Sequence, residues 1–329
     1  MLRDSFGRVA TDLRVSLTDK CNLRCTYCMP PEGLDWLPNA KLLTGEEIVR
    51  LVTIGVERLG VTEVRYTGGE PLLRRELPEI VARTAELSPR PQISLTTNGI
   101  GLARLAAPLA QAGLDRVNVS LDTLDRDTFK RLAHRDRHAD VIAGLTAAHE
   151  VGLRPVKVNT VLMRGVNDHE AVPLLRFCLE QGYELRFIEQ MPLDAQHGWS
   201  REGMVTADEI LGLLSGSFDL TPDDLEERGS APAERFLVDG GPARVGVIGS
   251  VTRPFCGACD RVRLTADGQV RNCLFAREES DLKTAMRAGA SDDELAERWI
   301  AAVAGKRAGH GIDDPSFLQP SRPMSAIGG

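Results

Sequence analysis

Cys21-Asn22-Leu23-Arg24-Cys25-Thr26-Tyr27-Cys28 follows the β-branched run at 13–17 with no helix between them, so three thiols stand on one loop at the carboxyl end of a strand. Three thiolates at x3/x2 spacing hold three irons of a cubane [4Fe-4S] cluster and leave the fourth iron open to a small molecule. Structural zinc is the alternative, but it takes four ligands, and no further cysteine or histidine lies nearby in sequence. In a parallel α/β architecture the carboxyl ends of the strands carry the active site, and this loop occupies such a place.

Downstream, short β-branched runs alternate with longer amphipathic segments, the pattern of repeated βα units around a parallel sheet. Strands are predicted at 13–17, 63–66, 92–96, 116–120, 156–161 and 183–187, and helices at 44–59 and 102–112 among others. Thr44 followed by Glu47 reads as a capping box. Six units fall short of the eight that close a barrel, so the expected fold class is α/β, a partial (β/α)6 TIM-type barrel. Residues just behind each strand should then be chemical. They include Thr67-Gly68-Gly69-Glu70, Thr97-Asn98-Gly99, Ser120-Leu121-Asp122 and Glu189-Gln190-Met191.

After about residue 215 the texture changes, which predicts two domains, 1–215 for the partial barrel and 216–329 for a smaller β-rich segment with a helical end. The polar stretch 221–232 reads as a linker with a solvated charge run. Hairpin signals follow at 236–241 and 263–270, and between them begins a second triad, Cys256, Cys259 and Cys273. In isolation this triad is also compatible with a zinc ribbon, although it too lacks a fourth ligand. Arg261 and Arg263, at i and i+2, share one face of a strand beside it. That face is either solvated or a pocket for a phosphorylated ligand, since arginine supplies bidentate charged donors. The closing residues Ser325-Ala326-Ile327-Gly328-Gly329 read as a flexible tail.

Composition narrows the classes. The chain has 329 residues, 42% of them hydrophobic and 26% charged, as in globular proteins, and no run approaches the ~18 apolar residues of a membrane span. Met1-Leu2-Arg3-Asp4-Ser5 lacks the apolar core of a secretory signal, and seven cysteines, six in tight triads, suit a reducing compartment. The expected location is cytoplasmic. A net charge of -7 argues against broad nucleic-acid binding but leaves room for a small anionic substrate held by local cations.

The first loop resembles the signature of the radical S-adenosylmethionine (SAM) superfamily, C-x3-C-x2-C with an aromatic residue, Tyr27, before the last cysteine. Gly68-Gly69-Glu70-Pro71 is similar to that superfamily's GGEP segment, which contacts the amino group of SAM. The resemblance implies that SAM chelates the open iron and is cleaved to a 5'-deoxyadenosyl radical. It also implies SAM contacts for Tyr27, Gly69, Ser120 and Met191.

Both triads, Arg-x-Arg behind the second, Leu95-Thr96-Thr97-Asn98-Gly99, Asn118-Val119-Ser120-Leu121-Asp122, Arg186-Phe187-Ile188-Glu189 and the terminal Gly-Gly together resemble one branch of the superfamily, the GTP 3',8-cyclases. These lyases convert GTP to (8S)-3',8-cyclo-7,8-dihydroguanosine 5'-triphosphate, the first step of molybdenum cofactor biosynthesis. The resemblance implies two [4Fe-4S] clusters, on Cys21, Cys25 and Cys28 and on Cys256, Cys259 and Cys273, the second binding guanine. It implies GTP contacts for Arg14, Arg65, Thr96, Lys157, Arg186, Arg261 and Arg263, and catalytic roles for Arg261, Arg263, Gly328 and Gly329. Implied partners are GTP, a low-potential electron donor and, by product transfer, a downstream cyclic pyranopterin monophosphate synthase. A monomer or homodimer is expected, with no nucleic acid and no membrane.

Two other readings compete. A radical SAM enzyme that modifies a peptide or protein would also carry auxiliary cysteines, usually more than three, and has no need of a triphosphate-binding cation set. An electron-transfer or zinc-stabilised binding protein requires complete ligand sets. Cys178 lies in an apolar helical stretch and is expected in the core; His134, His138 and His197 have no metal-like spacing. Glu189 is either a proton carrier or a structural carboxylate.

Overall fold

The structure, a computed structural model, describes residues 1–223 and 228–328. Strands β1 (Asp12–Ser16), β2 (Glu63–Thr67), β3 (Gln92–Thr97), β4 (Arg116–Ser120), β5 (Val156–Val161) and β6 (Glu184–Ile188) lie side by side, parallel and in chain order. All six match the strands expected from the sequence to within a residue or so. The helix at Gly45–Thr53 starts at Thr44 with the expected capping box and runs on as a π turn, Ile54–Arg58.

Side chains alternate across each strand. Leu13 and Val15, Val64 and Tyr66, Ile93 and Leu95, Val117 and Val119 are buried against the crossover helices on the outer face. The opposite parity is polar, with Asp12, Arg14 and Ser16 on β1, Arg65 and Thr67 on β2, and Thr96 on β3. A concave face lined this way is costly to bury unless it receives a polar ligand.

The remaining strands are β7 (Leu220–Pro222), β8 (Glu234–Val238), β9 (Arg244–Ile248), β10 (Arg261–Leu264), β11 (Gln269–Arg271) and β12 (Ser280–Asp281). They form no sheet of their own. β9 pairs parallel with β6, and β10 pairs parallel with β1, so the order is β12-β11-β10-β1-β2-β3-β4-β5-β6-β9-β8-β7. The barrel stays open. Both expected hairpins are present, β8–β9 and β10–β11, and each also supplies a parallel strand to one edge of the βα sheet. The second cysteine triad is thereby brought level with the first strand.

Two expectations are corrected. The stretch at 221–232 is not simply a solvated linker: Asp223 is buried and pairs with Arg235 at 3.1 Å and Arg244 at 2.9 Å, while Ser230 Oγ donates to Asp260. Residues 224–227 of that stretch lie outside the described residues. The tail is not free either. Met324–Ile327 forms a short helical turn, Ser325 and Ile327 are buried, and Gly328 is fixed through its carbonyl. No helix among the described residues is long and apolar enough to cross a membrane.

Candidate active site

The first triad leaves β1 on a loop that is tied by backbone hydrogen bonds to the segment after β2. Gly69 N–H donates to Thr18 O at 2.8 Å, and Glu70 N–H to Lys20 O at 2.8 Å. A Cβ at Gly69 would stand 2.3 Å from Lys20 O, and one at Gly68, whose φ is +141°, 2.4 Å from Thr18 O. The two glycines therefore permit two main chains to touch, which is a structural requirement in addition to any contact with a ligand. Glu70 is fully buried and accepts from Leu72 N–H, Thr97 Oγ1 and Asn98 N–H at 2.7–2.9 Å. Burial pushes its carboxyl up to about 7, against those three donors. Asn98, anchored this way, turns its amide toward Cys21 Sγ at 3.7 Å and Asn22 Oδ1 at 2.7 Å.

Tyr27 donates from its hydroxyl to Asp122 Oδ2 at 2.7 Å, and Asp122 Oδ1 accepts from Val161 N–H. Burial pushes the Asp122 carboxyl up to about 6 and the Cys28 thiol up to about 12. The main chain of Ser325 donates to Cys28, so the tail meets the first triad directly.

At the second triad, the His310 main chain donates to Cys256, and Lys306 Nζ donates to Cys259 Sγ at 3.3 Å. Arg8 Nη1 donates to Cys256 O at 2.6 Å. Among the described residues no three His, Cys, Asp or Glu side chains are grouped to hold a single metal ion. In a polynuclear cluster each thiolate takes its own iron, and donors aimed at the sulfurs tune it. Asn98, Ser325, His310 and Lys306 are such donors, and both triads fit that group.

One cavity of about 330 Å³ reaches from the first triad to the second and is lined by all six cysteines. Between them stand Arg14, Arg65, Thr96, Arg186, Arg261 and Arg263. Tyr27, Gly69, Ser120 and Met191 line the same cavity. Register explains the crowding. Arg263 on β10, Arg14 on β1 and Arg65 on β2 stand level on three neighbouring strands, whose backbones are about 4.8 Å apart. Arg261 and Arg263 are 7% and 5% exposed, which rules out the solvated face.

Like charges placed side by side repel, and burial removes the water that would screen them. Burial, then Arg65, drives the Arg14 guanidinium well below its ordinary range; Arg186, by burial and then Arg65, falls to about 9; Arg263, by burial and then Arg261, to about 10. Asp12 sits at the floor of this group, 3.6 Å from Arg14 and 3.8 Å from Arg65. Arg14 Nε, Arg261 Nε, Asn118 Oδ1 and Asn159 Oδ1 are buried without a hydrogen-bond partner. A lumen with orphaned donors and excess positive charge suits a polyanion.

Lys157 is not on the cavity wall; it lies one row nearer the amino ends of the strands, 3.2 Å from Glu184. Burial and then Arg186 lower its ammonium to about 8. Met324 and Ser325 line the cavity, and Gly328 is fastened to its wall: Arg263 Nη1 donates to the Gly328 carbonyl at 2.7 Å, and Ser16 Oγ donates to Ile327 O at 3.0 Å. Gly329 lies outside the described residues. Glu189 is a structural carboxylate, fully buried and accepting from Ala207 N–H, Val251 N–H, Thr252 N–H and the Thr252 hydroxyl. Cys178 packs in the core as expected.

Sequence reasoning passed over Asn98 and Asp122 as site residues, although both lie in strand-end motifs that it singled out, and both line the cavity. It had no signal for Arg8, Asn159, Lys306 or His310, which no spacing ties to either triad.

Two family models match the chain, the Radical SAM superfamily over residues 15–178 and Molybdenum Cofactor Synthesis C over 183–312. A protein of Streptomyces coelicolor named GTP 3',8-cyclase is 69% identical, covering 100% of this chain and 96% of its own. A GTP 3',8-cyclase of Mycobacterium sp. (strain KMS) is 62% identical over 100% and 93%. GTP 3',8-cyclase 2 of Mycobacterium tuberculosis (strain H37Rv) is 61% identical over 100% and 92%. Among solved structures, Streptococcus suis SuiB bound to S-adenosylmethionine superposes with a TM-score of 0.62 at 14% identity, covering 88% of this chain and 68% of that one. That likeness concerns the fold alone.

Proposed function

Since this chain belongs to the GTP 3',8-cyclase family of the radical SAM superfamily, we propose that it is the lyase that converts GTP to (8S)-3',8-cyclo-7,8-dihydroguanosine 5'-triphosphate, the step that opens molybdenum cofactor biosynthesis. The observation that carries this reading is the single cavity with a cysteine triad at either end and level arginines between. Cys21, Cys25 and Cys28 hold one [4Fe-4S] cluster, and Tyr27, Gly69, Ser120 and Met191 receive SAM beside it. When bound, that pair supplies a 5'-deoxyadenosyl radical able to take a hydrogen atom from an unactivated carbon.

Everything else falls to the chain's own residues. Arg14, Arg65, Arg186, Arg261 and Arg263, with Thr96, bind the substrate; their mutual repulsion is relieved by the triphosphate, so binding energy comes from a strain already present in the free protein. Lys157 joins them from the row behind. Cys256, Cys259 and Cys273 would hold a second cluster, whose open iron would supply a binding point for the guanine and so help to present C3' and C8 of one GTP to each other. Ile327 and Gly328, held by Ser16 and Arg263, cover the ends of β1 and β10 and exclude water from that end of the lumen. A peptide substrate would leave the level arginines without an anionic partner. Turnover also calls for a low-potential electron donor and hands its product to a cyclic pyranopterin monophosphate synthase in the cytoplasm.

The test is anaerobic reconstitution with iron and sulfide, then incubation with SAM, dithionite and GTP. About eight irons per chain and a cyclised nucleotide formed only with both substrates are expected. Formation of 5'-deoxyadenosine that ignores GTP, with no cyclised nucleotide, overturns the proposal.

A further inference from the structure

Lys306 stands two residues beyond the helix Asp292–Ala304 and is only 4% exposed. Its three ammonium donors reach three acceptors: Cys259 Sγ at 3.3 Å, Cys259 O at 3.0 Å and Arg261 O at 2.9 Å. Lysine is almost never buried this deeply unless it is paired. These acceptors are one sulfur and two carbonyls, none a carboxylate, so the charge is compensated only when the sulfur carries negative charge. The two carbonyls flank Asp260, and the ammonium therefore pins the turn between a cysteine of the second triad and the first arginine of β10.

The segment bearing Lys306 is itself fastened. Arg8 donates to Arg307 O at 2.5 Å, to Ala308 O at 2.9 Å and to Cys256 O at 2.6 Å. The lysine thus cannot drift from Cys259 without breaking a second set of bonds.

We propose that Lys306 is a positioning residue that fixes the positive charge at the second cluster and the angle at which Arg261 enters the lumen. The inference rests on the reading that Cys256, Cys259 and Cys273 hold a cluster. It joins two functions of β10, because one ammonium bonds both the cluster ligand and the strand carrying the substrate cations. A purely structural lysine would affect folding and leave the cluster's electronic properties unchanged.

The experiment replaces Cys21, Cys25 and Cys28 with alanine, leaving the second triad alone to give a signal, and adds Lys306→Met or Lys306→Arg. The parent should bind about four irons. Its midpoint potential, read by titration with electron paramagnetic resonance, should fall in the methionine variant, because losing a nearby cation disfavours the added electron. Lys306→Arg should restore most of it. In the protein with both triads intact, Lys306→Met should weaken GTP binding roughly tenfold, the equivalent of one hydrogen bond to a charged group. If the methionine variant fails to accumulate, Lys306→Gln takes its place with the same expected fall. A Lys306 variant that binds iron, keeps the parent potential and keeps parental GTP affinity overturns the inference alone. A parent without iron overturns the second cluster, and the inference with it.

Discussion

Arg263 donates a hydrogen bond to the carbonyl of Gly328 at 2.7 Å, in a buried contact between a strand and the far end of the chain. Gly328 has φ +87°, and a Cβ there would stand 2.1 Å from Ser16 Oγ and 2.9 Å from Thr67 Cγ2. The tail thus packs on the carboxyl ends of β1 and β2, at the paired Ser16 and Thr67, only with glycine at this position.

Gly328→Ala should therefore expel the tail from the lumen. Strain of about 1–3 kcal/mol predicts cyclised product falling roughly tenfold or more, while uncoupled SAM cleavage at the first triad persists. Product and 5'-deoxyadenosine, quantified side by side by chromatography, check the split; parallel loss of both would contradict it.

Gly69→Ala acts at the other end. Its methyl would collide with Lys20 O and Asp19 O, at 2.3 and 2.4 Å, and push the first cysteine loop away from β2. Iron should drop from about eight to about four per chain. A variant that retains the full complement would show that the contact between the two main chains does not set the loop.

Arg14→Met should separate stability from function. Arg14 is buried among Arg65, Arg261 and Arg263, which repel it more than Asp12 attracts it. Removing one of several like charges buried side by side relieves their repulsion, and Asp12 keeps Arg65 as its partner. The melting temperature without substrate should hold or rise, and GTP affinity should weaken about tenfold to a hundredfold. Calorimetry reads both, and destabilisation without loss of affinity would assign Arg14 to the fold alone.

Lys157 gives the pH dependence. Burial and Arg186 lower its ammonium to about 8, so it is charged below that pH and loses its proton as pH rises through it. A bound triphosphate favours the charged form, so GTP binding should take up on the order of one proton near pH 8.5 to 9 and weaken above it. Titration calorimetry in buffers of different ionisation enthalpy measures the uptake. Lys157→Arg, whose guanidinium holds its proton to higher pH, should reduce the uptake to the share that Arg186, lowered to about 9, contributes; an unchanged uptake in that variant would move the effect to another group.

Much of this was legible in the sequence, for identifiable reasons. The six parallel strands announced themselves through runs such as Val64–Tyr66 and Val117–Val119, whose alternation is set by the helices on one side. Arg261 and Arg263 were visible because they adjoin Cys259. The parallel edges of β9 and β10 were not: a hairpin turn specifies its antiparallel partner, while the opposite edge depends on chain distant in sequence. For the same reason Lys306, 33 residues beyond Cys273, carried no motif. Glu189 looked chemical behind β6, yet its four donors belong to the loop after β9 and to the helix at Ala207–Ser215. The tail read as free because nothing local restrains it; its anchors, Arg263 and Ser16, are tertiary.

The central claim is that one GTP spans the cavity with its ribose toward the first triad and its base toward the second. Incubating the reconstituted protein with SAM, dithionite and GTP deuterated at C3' tests it most directly, by mass spectrometry of the 5'-deoxyadenosine released. One deuterium in that product, alongside a cyclised nucleotide lacking it, is the predicted result. Unlabelled 5'-deoxyadenosine, formed at the same rate with and without GTP, would contradict the account.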